Sequence, residues 1–135
     1  MALTENLETL RKDGELVSIP VDAATLIYKG AIVAVDPGTG LAVNASAAAA
    51  QVVIGTAYEQ ADNSAGAASA ISVRVDVGSS NVYTTATLTE IGEAAYAQDE
   101  NTVDVLGTGV ADNLAGTVVG ILSATSVRIV GKKLA

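Results

Sequence analysis

The sequence predicts an all-β fold, a small barrel or sandwich with little helix, and three observations carry that prediction. Short apolar runs of about five residues are separated by clusters of Gly, Pro, Asn and Asp, the punctuation of tight turns between strands. Ile71-Ser-Val-Arg-Val-Asp-Val77 alternates apolar and polar over its whole length, which places Ile71, Val73, Val75 and Val77 on one face and Ser72, Arg74 and Asp76 on the other. A strand-turn-strand plan running from Gly30 to Gly78 also recurs, shortened, from Gly92 to Gly131, so the body is read as a loose internal duplication. In that alignment Gly55 corresponds to Gly120, and Arg74 to Arg128.

Taken in order, residues 1–14 form an arm and residues 15–135 a single β domain. The arm concentrates charge, and Leu3, Leu7 and Leu10 fall at helical spacing. A helix this short is marginal alone in water, and thirteen extended residues reach about 40 Å, so the arm is either a frayed terminus or a segment that orders on another subunit. Glu15 to Val21 is a first strand that Pro20 confines to an edge or ends, because proline donates no ladder hydrogen bond. Ala31 to Val35 is a strand, Asp36-Pro-Gly-Thr-Gly40 a turn, and Leu41 to Val43 the return.

The alanine-rich run 44–50 reads as a loop or a single helical turn. Val52 to Ala57 is a strand whose Gly55 marks a bulge or a close backbone approach. Glu59 to Ala70 reads as a long exposed loop. Beyond Gly78, residues Val82 to Thr85 are expected to pair back on the preceding strand as a hairpin. A loop then leads into a strand near Ala94 to Gln98. Asn101 to Leu106, Thr117 to Leu122 and Thr125 to Val130 complete the set, before the basic tail Lys132-Lys-Leu-Ala135.

At 135 residues, such a chain buries about two-thirds of its unfolded surface. Half of it is hydrophobic, yet it has no Phe, no Trp and only four Tyr, so its core is built from Val, Ile and Leu. Stacking platforms for sugars or single-stranded nucleic acid lack their usual material. The net charge of −8, with seven basic residues, opposes binding to a phosphate backbone. There is no cysteine, hence no disulfide or thiolate metal site, and no 18-residue apolar run to span a membrane. Met1 is followed by Ala-Leu-Thr-Glu-Asn rather than by a basic and then apolar run, and the expectation is a soluble product of the cytoplasm.

Candidate chemistry is sparse. Histidine and cysteine are both absent, which removes the commonest general base, metal ligand and thiol nucleophile. Asp99 and Glu100 are adjacent in a turn, whereas acid-base pairs face each other across a cleft. The tripeptides Gly38-Thr-Gly40 and Gly107-Thr-Gly109 lack the third glycine and the Lys-Ser/Thr of phosphate loops, and tight turns explain them. Asp62, Asp112 and Asn113 lack the alternating spacing of a calcium loop. No catalytic residue, cofactor, metal or small-molecule substrate is expected. Arg74 and Arg128, at matching places in the two copies, read either as partners of a neighbouring acid or as contacts across a subunit boundary.

With the repeat laid out, the chain resembles the small decoration, or cement, proteins of tailed-bacteriophage capsids. The likeness rests on Gly30-Ala-Ile-Val-Ala-Val-Asp-Pro-Gly-Thr-Gly-Leu-Ala-Val43, Val52-Val-Ile-Gly-Thr-Ala57, Val73-Arg-Val75 and Gly116-Thr-Val-Val-Gly-Ile-Leu122 with Ser126-Val-Arg-Ile129. It covers about residues 15 to 131. The resemblance implies a non-enzymatic structural protein on the outer capsid surface of a virion, made in the host cytoplasm. Its partners would be the major capsid protein and further copies of itself, as a trimer. Leu3, Leu7, Leu10 and Arg11 of the arm, with Arg74 and Arg128, are the candidate capsid or subunit contacts. A self-assembling tail-tube or fibre subunit is the alternative, followed by a carbohydrate-binding module or a carboxylate-based enzyme.

Overall fold

The computed structural model describes residues 15–47, 51–78, 80–85, 91–104 and 114–131, and they contain no helix. Twelve strands follow in order: β1 (Leu16–Pro20), β2 (Thr25–Ile27), β3 (Ile32–Val35), β4 (Ala42–Asn44), β5 (Val52–Ala57), β6 (Ala61–Asn63), β7 (Ser72–Asp76), β8 (Ser80–Thr85), β9 (Ala94–Ala97), β10 (Thr102–Asp104), β11 (Leu114–Ser123) and β12 (Ser126–Gly131). The first half forms a five-stranded sheet in the order β1-β7-β5-β3-β4, and the second a closed barrel in the order β10-β8-β12-β11-β9. A two-stranded ribbon, β2 with β6, is added to the first half.

Written from β8 round to β10, the second order is the first repeated, with β8, β12, β11, β9 and β10 in the places of β1, β7, β5, β3 and β4. The registers agree residue by residue. Ile32 faces Thr56 and Val33 faces Gly55, as Ala94 faces Thr117 and Ala95 faces Gly116. The next residue of β5 or β11 is skipped in both, a bulge at Ile54 in one copy and at Ala115 in the other. Gly30 N donates to Ala57 O and Gly92 N to Val118 O, at 2.9 and 2.8 Å, and Ala57 N and Val118 N return bonds to Ala31 O and Glu93 O. Gly30 and Gly92 both take positive φ, 86° and 98°, where a side chain would be strained.

Closure differs between the copies for one chemical reason. In the second barrel β8 runs parallel to β10, with Thr84 opposite Thr102 and Thr85 opposite Val103, and Thr84 N donates to Asn101 O at 3.1 Å. Pro20 occupies the place of Thr84 and has no N–H to give. The first sheet therefore closes only through the parallel bridge from Val21 to Ala42, where Asp22 N reaches Ala42 O at 3.1 Å.

The interior of each copy is filled from the same positions. Ile19, Val33, Ala42, Ile54, Ala57, Val73 and Val75 form the first core, and Tyr83, Ala95, Val103, Ala115, Val118, Val127 and Ile129 stand in their places in the second. Apolar alternation on each strand drives both burials, at about 25 cal/mol per Å² of surface removed from water. The second core also takes in Ile32, Ala34, Ala45 and Val53 from the first half, which are 1%, 0%, 2% and 2% exposed. The β3–β5 ribbon is thus apolar on both faces, one filling its own barrel and the other covered by the second.

Three expectations need correction. Val82 to Thr85 does not fold back on the preceding strand, because both edges of β7 are already occupied, by β1 and by β5. It starts the second barrel and pairs with β12. The segment 59–70 is not all loop, since β6 pairs with β2 and its Ala61 and Asn63 are buried. Asn63 Nδ2 holds it there by donating to Asp22 O at 2.8 Å and Ala67 O at 2.9 Å. Finally, the counterpart of Gly55 is Gly116 rather than Gly120. An added Cβ would lie 2.2 Å from Asp76 O at Gly55 and 2.0 Å from Val130 O at Gly116, the same approach to the neighbouring strand. Gly120 has only the Arg128 Cβ at 3.4 Å.

Candidate interaction surface

The candidate contacts Leu3, Leu7, Leu10 and Arg11 lie outside the described residues. Arg74 and Arg128 occupy equivalent places: Arg74 lies opposite Ser18 on β1, and Arg128 opposite Val82 on β8. Their surroundings diverge. Arg74 grips Glu59 with both prongs, Nε to Oε1 at 3.0 Å and Nη2 to Oε2 at 2.8 Å, and its guanidinium lies 5.3 Å from the centre of the Tyr58 ring. That hydrogen bond, more than the charge alone, holds the Glu59 carboxyl below its ordinary pKa. Both groups are about half exposed, so solvent screens the pair and it adds little to stability. Arg74 therefore follows the ion-pair reading. In the second copy Val119 and Gly120 stand where Tyr58 and Glu59 stand, so that clamp is not repeated in the same form.

Beyond Arg128 the β11–β12 hairpin carries exposed aliphatic side chains. Strand β11 runs ten residues, past the end of the barrel, and two bulges against β12 fall at Val119 and Leu122. Bulged residues are turned out of the ladder, and Val119 and Leu122 are exposed by 43% and 55%; Ile121, in register with Val127, is exposed by 43% on the part of β11 that β9 does not flank. Val82, on the other side of Arg128, is exposed by 43%. The sequence signal for this hairpin was the unbroken run Thr117-Val-Val-Gly-Ile-Leu122, which does not alternate and so cannot bury every aliphatic residue.

Between the barrels, Tyr83 from β8 reaches into the junction and its hydroxyl hydrogen-bonds Thr56 Oγ1 of β5. Ile32 N donates to Glu100 O at 2.8 Å and Ala47 N to Gln98 O at 3.0 Å across the same junction. A crevice there, lined by Ile32, Val53, Thr56, Asn81, Tyr83 and Ile129 among others, has a volume of about 10 Å³, the space of about one water. Burial pushes the Tyr83 phenol above its ordinary pKa of 10.0, only partly opposed by the Thr56 hydrogen bond. The neutral phenol is thus favoured by the fold, so its contribution is complete below about pH 10 and is lost as pH rises through the higher folded value. Tyr83→Phe is expected to flatten the alkaline limb of a denaturation-midpoint profile; an unchanged limb would place that titration elsewhere.

The acidic turn residues act locally. Asp99 Oδ1 accepts from Asn101 N and Thr102 N at 2.8 and 2.7 Å, Asp36 Oδ1 from Gly38 N at 2.8 Å, and Asp62 Oδ1 from the Ser64 amide and hydroxyl. Their hydrogen bonds close turns. Among the described residues no three acidic side chains gather where they could hold a metal ion. Asp112, Asn113 and the second Gly-Thr-Gly lie outside the described residues. Scanning the chain against known protein-family models finds no match, and no curated protein matches it either.

Proposed function

We propose that this chain is a structural virion protein that binds the outer surface of an assembled phage capsid and cements neighbouring capsid subunits, working as a small oligomer, a trimer. The observation that carries the reading is the exposure of Val119, Ile121 and Leu122 on the β11–β12 hairpin, on a β scaffold whose inter-barrel crevice has room for one water. Exposed aliphatic side chains close together on one hairpin match the make-up of protein–protein contact cores. Val and Ile also lose little rotamer freedom on docking, so a flat contact forms at modest entropic cost. Repetition over a symmetric shell then converts weak single contacts into firm attachment. The acidic balance of −8 keeps free subunits dispersed before docking. The arm, with Leu3, Leu7, Leu10 and Arg11, reaches toward a neighbouring subunit in this scheme.

The test is co-sedimentation with purified icosahedral shells. Ile121→Asp/Leu122→Asp is expected to weaken shell binding by tenfold or more, since two charged groups would have to be desolvated, while leaving the barrel core untouched. Deletion of residues 2–13 is expected to abolish retention with the β body still folded. Full binding by the double variant would remove the hairpin from the contact, and full binding by the truncated chain would remove the arm.

A further inference from the structure

We draw no further inference here: the strongest candidate, the stretch of β11 at residues 119–123 that runs past its pairing with β9 and leaves Val119, Ile121 and Leu122 exposed, belongs to the contact surface already described, and nothing in the structure shows what covers it.

Discussion

Gly55→Ala and Gly116→Ala are each expected to lower stability by about 2–3 kcal/mol, whereas Gly120→Ala leaves it within about 0.5 kcal/mol. The reason is the backbone of the adjacent strand. A methyl group at either of the first two sites would stand about 2 Å from a carbonyl oxygen of β7 or β12, and a carbonyl in a ladder has little freedom to retreat. At Gly120 the nearest atom is a side-chain carbon at 3.4 Å, a distance the surface accommodates. Denaturant titrations with unchanged slope read these differences directly. Equal losses at Gly116 and Gly120 would contradict the register that equates the two halves.

Tyr83→Ala is expected to cost about 3–5 kcal/mol, the larger of the two effects, because the ring is 6% exposed and spans both halves of the molecule. It removes packing from the second core and deprives Thr56, itself 8% exposed, of its partner. Tyr83→Phe keeps the ring and gives up the hydroxyl bond, so about 1 kcal/mol is expected. A loss for Tyr83→Ala no greater than for Tyr83→Phe would mean that the ring is not the element joining the halves.

Much of the fold was legible because it rests on local chemistry. Alternation in Ile71 to Val77 marked β7, and Asp36-Pro-Gly-Thr-Gly40 marked the β3–β4 turn, where Asp36 caps the Gly38 amide. What failed was pairing. Nothing in Val82 to Thr85 announces that β7 has no free edge, since that depends on pairings 18 to 60 residues apart. β2 and β6, three residues each, were below the length at which a pattern can speak. The repeat was visible in outline but slipped by four residues at Gly120, because Gly-Thr-Ala and Gly-Thr-Val align better by structure than the longer aliphatic run does. Of the candidate contacts, Arg74 lies in an ion pair with Glu59, while the exposed aliphatic residues of the β11–β12 hairpin were unmarked because exposure is a property of the assembled hairpin.

Adhesion to a larger shell is tested by electron cryomicroscopy of icosahedral phage shells incubated with the wild-type protein. Regular density is expected on the outer surface, with the β11–β12 hairpin against the shell. Shells that remain bare at saturating protein, or density meeting the shell through another face, would contradict it.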